Sequence, residues 1–142
     1  MSVHFSSKSN EWTTPQYLFD ELNEKFNFTL DPCATDENAK CSKYFTIEDD
    51  GLSKDWSKDV VFMNPPYGRE IKKWIKKAYE ESLNGATVVC LIPARTDTTY
   101  WHDFIFDKAD DIRFLRGRLK FGNSKNSAPF PSAIVIYECK ED

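Results

Sequence analysis

The sequence predicts an α/β fold, because apolar runs of strand length alternate with amphipathic stretches of helical length. Residues 60–63 are all apolar, and residues 87–92 are apolar after Thr87, as expected of strands that are buried on both faces. Residues 71–83, which lie between them, place apolar side chains at helical spacing. Two further strands, at residues 112–121 and 132–138, follow near the C-terminus. We therefore expect a mostly parallel sheet that ends in a strand pair.

The first helix is expected at residues 15–26. Thr14 is the predicted N-cap and Pro15 the first helical residue, the arrangement that favours a helix start. A short strand at residues 28–30 should follow and stop at Asp31. The inward-facing residues of this helix are predicted to be Leu18, Phe19, Leu22 and Phe26.

The remaining elements are shorter or less regular. A strand is possible at residues 44–47, and a helix is expected at about 98–108. The latter should bury Tyr100, Trp101, Phe104 and Ile105. The helix at 71–83 should bury Ile71, Trp74, Ile75, Ala78, Tyr79 and Leu83.

With 142 residues, the chain is expected to form one domain over residues 12–142, preceded by a loose segment at residues 1–11. No apolar run approaches the ~18 residues of a membrane span, so we expect a cytoplasmic protein with no membrane contact. The four cysteines form no Cys-x-x-Cys pair and have no nearby histidine, which favours reduced thiols over a disulfide framework. No metal site is predicted.

The net charge of −4 hides an uneven distribution. Residues 20–59 contain 11 acidic and 5 basic side chains, whereas residues 113–125 contain five basic side chains and no acidic one. Residues 69–77 carry five basic side chains against Glu70. A basic face opposite an acidic one is typical of a protein that contacts phosphates, although a lysine-rich helix is often simply solvated.

The most informative segment is Asn64-Pro65-Pro66-Tyr67, which directly follows an apolar strand; we call these four residues the elbow. An exocyclic amine on a base is a weak nucleophile, and acceptors for its N–H groups help it to react. The Asn64 oxygen and the Pro65 carbonyl are such acceptors, and the Tyr67 ring can stack on a base rotated out of a duplex. The two prolines alone would indicate only a turn.

The elbow resembles motif IV of the amino-methyltransferases that use S-adenosylmethionine, and the whole chain resembles the phage-type Dam-like DNA N6-adenine methyltransferases. The residues that carry this resemblance span about 12–137 and are Trp12-Thr13-Thr14-Pro15, Leu30-Asp31-Pro32-Cys33-Ala34, Asp50-Gly51-Leu52 with Trp56, Asn64-Pro65-Pro66-Tyr67-Gly68, and Gly117-Arg118-Leu119-Lys120-Phe121. The resemblance implies a compact Rossmann-like methyltransferase fold, with an antiparallel final strand pair. It also implies methyl transfer from S-adenosylmethionine to adenine in double-stranded DNA.

The resemblance also assigns cofactor-binding residues. Asp31 would contact the methionine part of S-adenosylmethionine, and an acid near Asp50 would accept the adenine amine of the cofactor, with Asp49 as the alternative. Ordinary turns and a solvated acidic loop are the competing interpretations. A carboxylate of the cofactor could also bind at the start of the first helix. The full predicted set is Thr13, Thr14, Pro15, Asp31, Pro32, Cys33, Ala34, Asp50 and Asn64.

The basic segments supply the predicted DNA-binding residues, which are Arg69, Lys72, Lys73, Arg116, Arg118, Lys120 and Lys125. In a strand, Arg116, Arg118 and Lys120 would share one face. The alternative is a charged edge strand that merely resists aggregation. Because no separate recognition domain is evident, we expect a short target site, a homodimer or a partner protein.

Two other functions fit the same residues. The methylated amine could belong to an RNA base, to cytosine N4 or to a glutamine side chain of a protein. The chain could also be a catalytically inactive methyltransferase-like module that binds nucleic acid. DNA adenine methylation is the leading hypothesis, because the elbow and the two basic segments occur together.

Overall fold

The computed structural model describes residues 12–122 and 125–140. It contains two α-helices and four named strands, with a short 3₁₀ turn at Gly51–Ser53 and a five-residue π turn at Trp101–Ile105. The predicted loose segment 1–11 lies outside the described residues. In chain order, the elements are α1 (Gln16–Phe26), β1 (Val60–Met63), α2 (Ile71–Leu83), β2 (Thr87–Pro93), β3 (Asp111–Phe114) and β4 (Ser132–Tyr137).

The four strands form one mixed sheet in the order β1-β2-β4-β3. The β1–β2 pair is parallel and places Met63 opposite Cys90, whereas β2–β4 and β3–β4 are antiparallel. The α/β class is therefore confirmed, but the sheet is not mostly parallel. The physical reason is that β4 lies between β2 and β3, so the final strand pair contributes two antiparallel interfaces.

The segment before β1 extends the parallel part of the sheet by isolated bridges. Leu30 pairs with Val61, and Asp31 pairs with Tyr44, both in parallel orientation. The predicted strands at 28–30 and 44–47 thus shrink to these single bridges. They still bring Asp31 to the edge where β1 ends, because the Leu30 carbonyl accepts a hydrogen bond from Phe62 N.

Helix α1 starts one residue later than predicted. Pro15 is the N-cap and makes no side-chain cap, while its carbonyl accepts hydrogen bonds from Leu18 N and Phe19 N. The prediction that Thr14 caps the helix is wrong. The Thr14 hydroxyl oxygen instead accepts a hydrogen bond from the side-chain amide of Asn64, which lies 50 residues away in the sequence.

Helix α2 matches the predicted bounds, and its apolar stripe packs on the sheet. One member is wrong: Leu83 is 50% exposed. The last turn instead buries Glu81, which accepts a hydrogen bond from Trp56 N at 3.0 Å and pairs with Lys77 at 2.7 Å. Periodicity could not reveal this, because a buried glutamate is stable only when a distant segment supplies donors.

The C-terminal third is less regular than predicted. The helix expected at 98–108 is the π turn, although Tyr100, Trp101 and Ile105 are buried as expected. The strand expected at 112–121 ends at Phe114. Its partner strand β4 begins after Pro131, which has no N–H to continue the ladder.

Within residues 12–122 and 125–140, no helix is both long and apolar enough to cross a bilayer.

Candidate active site

The elbow borders a cavity of about 470 Å³, which we call the first cavity. This volume is within the ~300–1,000 Å³ range of small-molecule sites. It is formed where the Asp31 segment, the end of β1 and the residues before α1 meet. Ten of the predicted catalytic or cofactor-binding residues line it: Thr13, Thr14, Asp31, Pro32, Cys33, Ala34, Asp50, Asn64, Pro65 and Pro66. Pro15 and Tyr67 are not part of its lining.

The side chain of Asn64 is held in one orientation. Its Nδ2 group donates hydrogen bonds to the carbonyl of Trp12 and, at 2.9 Å, to Thr14 Oγ1. A carbonyl can only accept a hydrogen bond, so the nitrogen of the amide must face Trp12. The Asn64 Oδ1 atom is buried and has no hydrogen-bond partner among the described residues. Such an orphaned acceptor is costly unless a ligand donates to it.

The Pro65 carbonyl is a second free acceptor. Pro65 is buried and lines the same cavity. No hydrogen bond reaches its carbonyl from residues 12–122 or 125–140. The elbow therefore offers two acceptors, one from a side chain and one from the backbone, on consecutive residues.

Tyr67 lies apart from the other elbow residues. Its side chain is 3% exposed, its hydroxyl donates to the Leu91 carbonyl at 3.1 Å, and its ring packs edge-on against Phe121 and Phe130. Tyr67 and Pro93 both line another cavity, of about 360 Å³, which we call the second cavity. Stacking of Tyr67 on a base stays a prediction. The base would reach the Tyr67 ring through the second cavity.

Asp31 is 5% exposed and accepts two backbone hydrogen bonds, from Cys33 N at 3.3 Å and from Lys40 N at 3.0 Å. Burial raises the pKa of this carboxyl above its ordinary value, and the two backbone donors partly oppose the shift. The carboxylate thus shapes the loop between residues 33 and 40. It also places a carboxyl group on the cavity wall.

The structure distinguishes the two adjacent acids. The Asp49 carboxylate accepts hydrogen bonds from Thr46 N and Thr46 Oγ1, which lower its pKa, and it does not line the cavity. Asp50 has a positive φ of 57° and does line it. Of the two candidates, Asp50 is the acid in position to contact a ligand.

The first cavity has apolar and acidic walls. Five of its lining residues are acidic and one, Lys40, is basic, which favours a ligand with positive charge. Sequence reasoning missed its apolar members, Phe45, Ile47, Phe62 and Trp74. Ile47 is 91% exposed despite its size, a property that only the tertiary structure reveals.

One wall depends on a close backbone approach. A Cβ atom on Gly51 would lie 2.5 Å from the Pro32 carbonyl oxygen, so a side chain cannot be accommodated there. The Gly51 carbonyl accepts a hydrogen bond from the Trp56 indole, and Trp56 is tied to Glu81 of α2. The Gly51–Trp56 segment is thereby anchored to helix α2.

The predicted DNA-binding residues fall into two groups. Lys72 and Lys73 form ion pairs with Asp103 at 2.9 Å and Glu70 at 3.4 Å. Arg69, Arg116, Arg118, Lys120 and Lys125 are exposed and form no ion pair within the described part of the chain. The three basic residues from 116 to 120 do not lie on a strand, so the predicted common strand face is wrong.

Sequence reasoning also missed Arg95. It follows the end of β2, lines the second cavity together with Arg69, and places its guanidinium 5.1 Å from the centroid of the Phe130 ring. The rule that ligands bind at the carboxyl ends of strands could have identified it, since Pro93 ends β2 just before it.

The sequence profile of a family described as DNA N-6-adenine-methyltransferase (Dam) matches residues 2–138. A DNA N-6-adenine-methyltransferase of Haemophilus phage HP1 is 29% identical, over 94% of this chain and 82% of the phage protein. A DNA N-6-adenine-methyltransferase of Escherichia phage T1 is 32% identical over 92% of this chain, which spans 63% of that longer relative. A putative methyltransferase of Escherichia coli, YfdM, is 42% identical over 41% of this chain and 71% of its own length.

Proposed function

The chain belongs to the DNA N-6-adenine-methyltransferase (Dam) family, and from this premise we propose how its elbow methylates adenine in DNA. The enzyme transfers a methyl group from S-adenosylmethionine to the exocyclic amine of a target adenine. The orphaned Oδ1 atom of Asn64 is the observation that carries the assignment of roles.

Two acceptors on the elbow match the two N–H bonds of the adenine amine. We assign Asn64 Oδ1 to one N–H and the Pro65 carbonyl to the other, since neither has a partner among the described residues. Hydrogen bonds to both N–H groups favour a more tetrahedral nitrogen whose lone pair can attack. Thr14 and the Trp12 carbonyl are positioning groups, because they hold the Asn64 nitrogen away from the substrate.

The residues of the first cavity fit S-adenosylmethionine, which supplies an activated methyl group when it is bound. The cofactor carries sulfonium and ammonium charges, and the acidic lining of the cavity complements them. Asp31 and Asp50 are the assigned polar contacts. Apolar surface for the adenine ring of the cofactor comes from Phe45, Ile47 and Trp74.

The target base reaches the elbow by rotation out of the duplex, because its amine is inaccessible to an enzyme while the base is stacked. We assign the second cavity to the DNA side, since Tyr67 lines it and the other three elbow residues line the first. Tyr67 then contacts the base from that side, which requires the covering Phe121 and Phe130 rings to move.

The sheet is the C-terminal part of a Rossmann-like methyltransferase fold, in which β4 supplies the antiparallel strand. The exposed residues Arg116, Arg118, Lys120 and Lys125 contact DNA phosphates. The substrate places the enzyme in the cytoplasm of a bacterial host. A homodimer or a partner protein completes target recognition.

The test is to incubate the protein with methyl-labelled S-adenosylmethionine and unmethylated genomic DNA, and then to digest the DNA to nucleosides. We expect the label in N6-methyladenine. Parallel reactions contain RNA, or a protein with accessible glutamine side chains, in place of DNA. Label in N4-methylcytosine, in RNA or in glutamine would show that the enzyme methylates a different substrate. Base-resolved sequencing of the methylated DNA then gives the target site.

The matched variant is Asn64→Ala. We expect it to lose methylation by at least about 100-fold while calorimetry shows S-adenosylmethionine binding within a few-fold of the wild-type value. Normal turnover by this variant would refute the role of Asn64. No cofactor binding by the wild-type chain would favour an inactive nucleic-acid-binding module.

A further inference from the structure

The second cavity has the opposite charge character to the first. Arg69 and Arg95 line it, and no acidic side chain does so within the described residues. Tyr67, Gly68 and Tyr100 complete much of its wall. The elbow thus borders an acidic cavity and a basic cavity, one suited to a cation and the other to an anion.

We propose that the second cavity binds a phosphate of the DNA strand next to the target adenine, with Arg69 and Arg95 as its ligands. The inference rests on the proposed function, because it takes DNA as the substrate. It adds a binding site that fixes the strand beside the elbow. A flipped nucleotide stays attached to two phosphates, so one of them must pass close to any site that receives the base.

The two arginines are available for such a contact. Both side chains are exposed, and neither forms an ion pair within residues 12–122 and 125–140. Their acidic chain neighbours are Glu70, which pairs with Lys73, and Asp97, and neither of these acids lines the cavity. Guanidinium groups are the preferred protein ligands of phosphate, because their fork of donors can bind it bidentately.

The surroundings support the same ligand. The cavity lies at the start of α2, whose first residue, Ile71, is part of the lining, and the N-terminus of a helix favours an anion. Burial raises the pKa of the Tyr100 hydroxyl, which therefore stays protonated and can donate. The stacking of Arg95 over Phe130 limits its freedom before binding.

The test compares the salt dependence of DNA binding in Arg69→Gln, Arg95→Gln and Arg95→Lys with the wild type. Each lost phosphate contact should lower the slope of log Kd against log salt by about 0.9. We expect each Gln variant to bind DNA roughly tenfold more weakly at low salt, and Arg95→Lys to restore most of the slope. Lys58→Gln is the charge control, because Lys58 is exposed and lines neither cavity.

A second measurement locates the contact. Once the target site is known, single neutral methylphosphonate linkages are placed around the adenine of a short duplex. One linkage should weaken binding of the wild type and have no further effect on Arg95→Gln. Calorimetry with inorganic phosphate distinguishes a site for free anions from a site for a phosphate of the DNA strand. Loss of phosphate binding in Arg95→Gln with an unchanged DNA slope would overturn the proposal.

The proposal is also overturned if the Gln variants keep the wild-type slope, or if Lys58→Gln lowers it equally. These results differ from a failure of the proposed function, in which the wild-type chain itself would bind no DNA and transfer no methyl group to adenine. All variants are compared by thermal unfolding, and we expect wild-type midpoints because the substituted side chains are exposed.

Discussion

Asn64 Nδ2 donates a hydrogen bond to Thr14 Oγ1 across 2.9 Å, and this contact orients the side-chain amide of Asn64. The two residues lie 50 positions apart in the chain. The bond leaves Asn64 Oδ1 as a buried acceptor without a partner. The residue predicted as a helix cap therefore holds the Asn64 amide at the wall of the first cavity.

Thr14→Val should impair catalysis without unfolding the protein. Valine matches the shape of threonine but cannot accept the Asn64 N–H, so the amide keeps only the Trp12 carbonyl. We expect single-turnover methylation to fall by about tenfold or more, because the lost bond costs roughly 1–3 kcal/mol. S-adenosylmethionine affinity should change less. Thr14→Ser keeps the hydroxyl, and equal damage in both variants would show that packing matters instead.

Gly51→Ala should destabilise the wall of the first cavity. The new Cβ would lie 2.5 Å from the Pro32 carbonyl oxygen and 3.1 Å from the Trp74 ring. We expect a loss of about 1–3 kcal/mol in the free energy of unfolding by urea, and weaker cofactor binding by calorimetry.

The control for this substitution is Gly117→Ala. Gly117 has a φ of 74° but no atom within 4 Å of an added Cβ. It should lose stability through backbone strain alone, about 1–2 kcal/mol, and keep its cofactor affinity. Equal cofactor binding by both variants would argue against the close approach at Gly51.

Glu81→Ala should be among the most destabilising single changes. Glu81 is buried, pairs with Lys77 at 2.7 Å and accepts a hydrogen bond from Trp56 N. Removing one partner of a buried pair costs about 3–5 kcal/mol, because the other charge stays buried. Urea unfolding measures this loss.

The neighbouring residue supplies the matched comparison. Glu80→Ala removes an exposed pair with Lys76 at 4.0 Å and should leave the unfolding midpoint unchanged. Glu81→Gln can still accept the bond from Trp56 N and should be intermediate. A Glu81→Ala protein as stable as Glu80→Ala would contradict the structural role of this pair.

Cys41 should alkylate slowly at neutral pH. Burial, followed by the charges of Asp31 and Asp59, raises the pKa of its thiol to about 11. Because only the thiolate reacts, the iodoacetamide rate at Cys41, followed by mass spectrometry, should keep rising up to about pH 11. In the unfolded chain it should level off near pH ~8.5–9. A plateau at that pH in the folded protein would contradict the raised pKa.

The raised pKa of Cys41 also makes the stability of the fold fall as the pH rises. The folded state holds the Cys41 proton more tightly than the unfolded state, so its contribution is fully present below about pH 8.5. It is lost as the pH rises towards about 11. Cys41→Ser should therefore reduce the loss of stability between these two pH values, as followed by urea unfolding.

Local periodicity was sufficient to predict α1, α2, β1 and β2 to within about one residue, because their apolar side chains repeat at the period of the element. It failed for the segment 98–121, where a five-residue π turn replaces the predicted helix and the predicted strand is confined to β3. There, Pro131, directly before the partner strand β4, and Gly117 at a positive φ decide the path of the chain.

By itself, the sequence determined the α/β class, the Dam family and ten of the residues around the first cavity, since these depend on local pattern and on residue type. The tertiary structure alone decided that Thr14 bonds to Asn64, that Tyr67 and Arg95 line a second cavity, and that Lys72 pairs with Asp103. Each of these depends on contacts between residues that are distant in the chain or on the direction of a side chain. No local sequence period encodes such contacts.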